Sequence, residues 1–363
     1  MSPDLRLLLE LTAVPTAPFH EHRVMAFIDA FARVRRSLSI SRDRFGNTLL
    51  VRKGSAGEKR PRLVYVAHLD HPGFIVAEQL DTKTIRCDFH GGVLAKLMLG
   101  AKVRFFDGAN EVTGKVIDAK DDAGRASSAT VRVSKPVKPG AFGMFDLTPG
   151  KIVGQRFHAR VCDDLAGAAS ALATLDALAK SPAKCDVATL LTRGEEQGFI
   201  GAIASVNARP SLLRKTDRLI SIECSAEQPV AKQGEGVVLR VGDRTSTFNS
   251  AFTRFIGDVG TDLAQKDKRF KFQRALMPGG TCEATVFDAW GYTTAAACVP
   301  LGNYHNMNKV RGRIEAENVH LGDWQNMVKL FLGLARRIHE FDGSHAALRD
   351  RLTKRFKSFE QLL

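Results

Sequence analysis

Val161-Cys162-Asp163-Asp164-Leu165-Ala166-Gly167 places two adjacent carboxylates between an apolar run ending at Cys162 and a small-residue helical pattern from Leu165 to Leu178. A helix starting there offers unpaired backbone N–H groups and the positive end of its dipole, which favour acids in its first turn. Read locally, Asp163 and Asp164 are an N-cap pair. The rest of the chain changes that reading, because four other stretches also end an apolar, strand-like run with a carboxylate or a histidine.

Around this stretch the chain is α/β. Leu165 to Ala179 reads as a helix, followed by a strand at Val187 to Leu191, a helix near Ile200 to Val206 and a strand at Arg218 to Ile222. Strands near Val237 to Val241 and Thr293 to Cys298 flank a helix near Asn249 to Gln265, and a long helix is expected from Val319 to Phe341. Before it, Pro3 to Val14 and His22 to Arg36 have helical spacing, and Leu38 to Ile40 with Thr48 to Val51 suggest a hairpin. Arg62 to Ala67 is too continuously apolar for an edge and reads as a central strand buried on both faces. Strands alternating with helices imply a mixed or mostly parallel sheet covered on both faces, whose ligands bind at strand carboxyl ends. Between Gly73 and His158 the character differs: short β-type runs are separated by Gly, Asp and Lys turns, the pattern of a small all-β barrel or sandwich inserted into the larger unit. The expected division is residues 1–72 with 159–363, and 73–158.

Composition excludes several classes. The 363 residues are 44% hydrophobic and 25% charged, ordinary for a soluble globular protein. No apolar run reaches the roughly 18 residues of a membrane span, and Met1 to Thr12 lacks the pattern of a signal peptide, so a cytoplasmic address is expected. The six cysteines show no Cys-x-x-Cys spacing and read as reduced thiols. A net charge of +14 raises the prior for anionic partners, but it is spread along the chain without nucleic-acid-binding motifs, and a solvated basic surface is the expectation.

The strand-end polar residues form one inventory. His68 and Asp70 end the Leu63 strand and, two apart, point the same way, so one can ligate while the other fixes the imidazole tautomer. His71 reads as spare. Glu195-Glu196 follow the Val187 strand and a glycine; one can hold a cation while the other acts as a base on an activated water. Glu223 follows Leu219 to Ile222, and His305 follows the strand near Ala295. His68, Asp163, Glu196, Glu223 and His305 are the candidate ligands, with Asp70 behind and Glu195 free. Two imidazoles and three carboxylates suit a pair of divalent ions, zinc first, with cobalt or manganese as alternatives. With Asp163 shared, each ion has three protein ligands.

The order His68-x-Asp70-x-x-Gly73-Phe74, Asp163-Asp164-x-x-Gly167, Glu195-Glu196-x-Gly198-x-x-Gly201-Ala202, Glu223, Gly279-Gly280-Thr281 and Tyr304-His305 resembles the M42 aminopeptidases, the glutamyl and tetrahedral aminopeptidase relatives among two-zinc exopeptidases. The resemblance spans essentially the whole chain. It implies a zinc-exopeptidase-like sheet sandwiched by helices with an inserted β-barrel that serves oligomerisation and substrate access. It implies one metal on His68, Asp163 and Glu223, another on Asp163, Glu196 and His305, Glu195 as general base and Asp70 orienting His68. A frequent cis Asp163–Asp164 peptide, a peptide substrate and a homo-oligomer, in some members a dodecamer, are implied as well. Three positions depart from the pattern: Leu165 replaces an arginine, Glu223 an aspartate, and Cys282-Glu283 an Asp-Ala pair. Two other functions fit the same residues, an amidase or deacylase acting on small N-acylated substrates and a non-catalytic peptide-binding protein.

Overall fold

The computed structural model describes residues 1–56 and 61–363. Its centre is an 11-stranded mixed sheet. Leu63–His68 runs parallel to Val187–Thr192 on one side and Arg218–Ala226 on the other, and Arg218–Ala226 runs parallel to Thr293–Gly302. Leu63–His68 and Val187–Thr192 are buried along their whole length, as their continuous apolar sequence predicts. Their side chains alternate between two cores. Leu63, Tyr65 and Ala67 face a large core formed with the helices Pro3–Thr12, His22–Arg33, Leu165–Lys180, Ser250–Lys266 and Leu321–Arg337. Val64 and Val66 face a smaller core with Ala202, Val206, Val286 and Phe287, from Ile200–Asn207 and Glu283–Ala289.

Leu165–Lys180 occupies the middle of the large core, and every residue from Leu165 to Leu175 is buried. Its alanines and glycine permit this close packing. A Cβ on Gly167 would lie 2.1 Å from Asp164 Oδ1, so the helix start has no room for a side chain there. Trp324 fills the far side of the helix and donates its indole N–H to the Ala166 carbonyl at 2.8 Å.

The inserted segment closes into a six-stranded antiparallel barrel, in the order Gly73–Asp81, Thr84–His90, Arg125–Val133, Asn110–Asp122, Lys102–Asp107, Phe142–Phe145. Phe74, Phe89, Phe105 and Phe145 fill its interior with mostly edge-on ring contacts. The following hairpin, Lys151–Val153 and Arg156–Ala159, hydrogen-bonds into the large sheet through Glu317–His320.

The expected helix from Val319 to Phe341 is divided. Glu317–His320 is a strand, Leu321–Arg337 is the helix, and a 3₁₀ segment follows at Ile338–Gly343. His320 ends the strand and accepts the Gly322 N–H at 3.2 Å, capping the helix. The strand Phe272–Leu276 and the helices Ala95–Met98, Glu283–Ala289 and Ser344–Phe359 carry too little periodic signal to be read from sequence.

Candidate metal centre

The carboxyl ends of the central strands converge on one cleft. Thr192 and His68 are paired across the sheet, so the two strands end level. Beyond Thr192 the chain turns through Gly194 in left-handed backbone (φ 61°) into a single 3₁₀ turn, Glu195–Gln197. Asp70, fully buried, pins that turn: its Oδ1 accepts the Glu195 N–H at 2.9 Å and its Oδ2 the Glu196 N–H at 3.0 Å. Glu21 performs the same service one residue earlier, accepting from Gly194 N–H and from Arg193 Nε. Asp70 therefore does more than face His68, whose Nδ1 lies 3.6 Å from its Oδ1 and 3.2 Å from its carbonyl.

His68 Nε2 is 3.5 Å from Asp163 Oδ1, and His305 Nε2 is 3.8 Å from Asp163 Oδ2 and 3.0 Å from Glu196 Oε1. The candidate donor atoms of His68, Asp163 and Glu223 lie within 4.8 Å of one another, as do those of Asp163, Glu196 and His305. Glu195 Oε2 stands 3.9 Å from His68 Nε2, outside both groups of three. Each imidazole has its other nitrogen on a carbonyl, Asp70 for His68 and Gly92 of the inserted segment for His305, which orients Nε2 into the cleft.

The two aspartates are joined by a cis peptide bond. Asp164, although it starts the helix, makes no side-chain cap hydrogen bond, so the local N-cap reading does not describe it. His71 is not spare: its Nδ1 lies 2.7 Å from the Asp163 carbonyl and its Nε2 3.1 Å from Asn306 Oδ1.

The electrostatics are those of a site built for cations. Asp163 Oδ1 and Glu223 Oε1 are buried without a hydrogen-bond partner, and Glu196 Oε1 is buried with the His305 imidazole 3.0 Å away but not aligned for a regular hydrogen bond. Burial, then the field of Asp163, pushes Glu223 up to about 8. Burial raises Glu195 well above the usual carboxylate range, against the opposing field of His68. Burial lowers the histidines, yet the surrounding acids win: His305 rises to about 9 through Glu196 and Asp163, and His68 also rises, chiefly through Glu195. Buried carboxylates crowded this closely are costly unless a cation neutralises them. The donor set, two imidazole nitrogens and three carboxylates in two groups of three sharing Asp163, fits a pair of divalent ions.

A family model described as M42 glutamyl aminopeptidase matches residues 46–330. The chain belongs to the M42 aminopeptidase family. No curated protein sequence matches it. The fold is shared with the TET aminopeptidase of a marine-sediment Thaumarchaeota archaeon, at TM-score 0.79 and 18% identity over 94% of this chain and 100% of that one. It is also similar to the Pyrococcus horikoshii TET1 peptidase, which can assemble into a tetrahedron or a large octahedral shell (TM-score 0.76, 21% identity, 92% and 99% covered). An M18-family aminopeptidase from Thermotoga maritima matches more distantly, at TM-score 0.70 and 15% identity, with 91% and 95% covered. Among the described residues no helix is long and apolar enough to cross a membrane.

This M42 chain also has a cavity of about 360 Å³ beside the centre, open to Glu223 and lined by Arg125, Arg240, Lys309, Tyr304 and Met277. Arg240 is 3% exposed, donates through Nη1 to Ser225 Oγ at 3.2 Å and keeps Nε without an acceptor. Nothing in the local sequence marks Arg240, an isolated cation in the strand Val237–Gly242. Glu283, one of the residues departing from the family pattern, is fully buried and neither oxygen accepts a hydrogen bond of normal geometry. Leu165, where an arginine is usual, is fully buried.

Proposed function

We propose that this chain is a two-metal aminopeptidase that removes N-terminal residues from peptides, with acidic residues favoured at the terminal position. The observation that carries the reading is the pair of three-residue donor groups sharing Asp163, with Glu195 beside them but in neither. Two divalent ions, zinc first, would polarise a scissile carbonyl and acidify the attacking water. Glu195 takes the proton from that water and returns it to the leaving amine. Asp70 holds the Glu195–Glu196 backbone in place, so base and ligand keep their separation. The acids of the centre suit a free α-amine. The cations Arg240, Arg125 and Lys309 suit a side-chain carboxylate in the adjoining cavity.

The inserted barrel, Gly73 to Phe145 within the expected 73–158 segment, acts in this proposal as the oligomerisation and access module. Its Gly92 carbonyl contacts His305, and the TET1 relative can assemble into a tetrahedron or a large octahedral shell. A homo-oligomer and a cytoplasmic address complete it.

The test is a panel of aminoacyl-p-nitroanilides with their N-acetylated counterparts, run on metal-loaded wild type and Glu195→Gln. The reading requires turnover of free-amine substrates alone, lost in the variant at two bound ions per chain. Turnover of the acetylated set would replace it with a deacylase. In Arg240→Met, kcat/KM for the glutamyl substrate should fall about ten- to a hundredfold, the loss of one charge-assisted contact, with the alanyl substrate unchanged. An equal fall for both substrates would remove the acidic preference.

A further inference from the structure

Two segments distant in sequence must be held together for the centre to exist: Arg160 to Asp164, carrying Asp163, and Tyr304 to Asn306, carrying His305. Neither functional residue lies in a long regular element. Asn303, His305 and Asn306 all have left-handed backbone (φ 57°, 53° and 61°), which residues with side chains seldom adopt without outside support.

That support converges on Glu317. The strand Glu317–His320 pairs with Arg156–Ala159 on one side and with the end of Thr293–Gly302 on the other, which sets Glu317 between the two segments. Glu317 is fully buried. Its Oε2 accepts the N–H groups of Cys162 at 2.7 Å and Asp163 at 3.1 Å, and its Oε1 accepts the N–H of His305 at 2.8 Å. His71 and Asn306 form a second bridge, with His71 between the Asp163 carbonyl and Asn306 Oδ1, and Asn306 Nδ2 donating to the Arg160 carbonyl at 2.9 Å.

We propose that Glu317 is a positioning residue that fixes the distance between Asp163 and His305, and so sets the affinity of the Asp163–Glu196–His305 half of the centre for its ion. The inference rests on the reading that the cluster holds two ions. A carboxylate suits this position because it offers acceptor oxygens to both segments at once, and such charge-assisted bonds are short and strong. A glutamine has a single acceptor oxygen and must release one segment. The Asp163 backbone is also held directly by His71 at its carbonyl, whereas the His305 N–H has Glu317 as its acceptor, so the His305 backbone is the part that moves.

The experiment is calorimetric titration of zinc into metal-stripped wild type, Glu317→Gln and His305→Ala, with the melting temperature of each metal-free protein. Wild type should take two ions. Glu317→Gln should bind one ion nearly as wild type does and the other about 10- to 100-fold more weakly, the usual effect of losing a group that orients a ligand. The weakened site should be the one that His305→Ala abolishes. Unchanged affinity for both ions would overturn the proposal while leaving the two-ion reading intact. Equal weakening of both sites with a lowered melting temperature would show a merely structural role. Wild type binding fewer than two ions would overturn both. Should Glu317→Gln not fold, Asn306→Ala, which opens the second bridge, is titrated instead and must weaken the same site.

Discussion

In the barrel, Gly73 to Phe145, charge stays in water. Arg86 pairs with Glu78 and Asp88, and Arg104 with Glu111, on side chains that keep a third to a half of their surface exposed, around an interior of aromatic and aliphatic residues. At the carboxyl ends of the central strands the arrangement is inverted. Asp163, Asp164, Glu223, Glu283 and Glu317 are buried close together, with orphaned oxygens on the first four. Both regions are made of the same residue types, yet one converts them into stability and the other gives stability up. Hydrophobic burial scales with area, whereas buried like charges repel in a medium that screens them poorly. Such crowding persists where a cation or a reaction uses it.

The largest effect should come from the site. Glu195→Gln is expected to lower kcat by about 10²–10⁴, the range of a lost general base. Its melting temperature should stay at or above the wild-type value, because a carboxylate crowded by Glu223, Glu196 and Asp70 is removed. A folded, metal-loaded variant retaining wild-type kcat would break the contrast at its functional end.

The barrel should show the opposite. Phe74 is fully buried and packs edge-on against Phe89 at 4.9 Å and Phe145 at 5.2 Å between ring centres. Phe74→Ala should cost about 3–5 kcal/mol in urea unfolding. A loss well under 1 kcal/mol would mean that the barrel core is not a source of stability.

Glu283 sharpens the comparison through pH. Burial raises its carboxyl from 4.5 to about 7. Between those values the folded protein keeps a proton that the unfolded chain has released, so stability falls as pH rises through that window. In metal-free protein, Glu283→Gln should remove a decline of order 2 kcal/mol between about pH 4.5 and 7. Parallel pH–stability curves for the two proteins would refute it. The smallest effect is expected at Arg86, where Arg86→Ala should leave the melting temperature unchanged within error, since exposed pairs contribute little.

Much of this architecture is legible in the sequence because its signals are local. Leu63 to His68 reads as a central strand from unbroken apolar character, and Leu165 to Leu178 as a packed helix from its small residues. His68, Asp163, Glu196, Glu223 and His305 stand out because each polar residue follows an apolar run. Other residues gave no such sign. Glu317 lies in Glu315-Ala316-Glu317, two acids around an alanine of the kind solvated loops contain, and nothing local marks its three bonds to N–H groups of two other segments. Arg240 and Glu21 are silent for the same reason. The division of the expected helix at His320 was hidden because Val319 satisfies a helical pattern and a strand pattern equally well.

The sequence by itself determined the α/β alternation, the separate β-rich segment and the residue types that gather at strand ends, since periodicity and polarity are properties of neighbouring residues. Tertiary structure alone decided which oxygens are left without partners, which cations line the cavity beside Glu223, and which carboxylate joins the segments bearing Asp163 and His305. Those facts depend on distances between residues separated along the chain, as Glu317 and Asp163 are by 154 positions, and such distances exist only once the sheet has set its register.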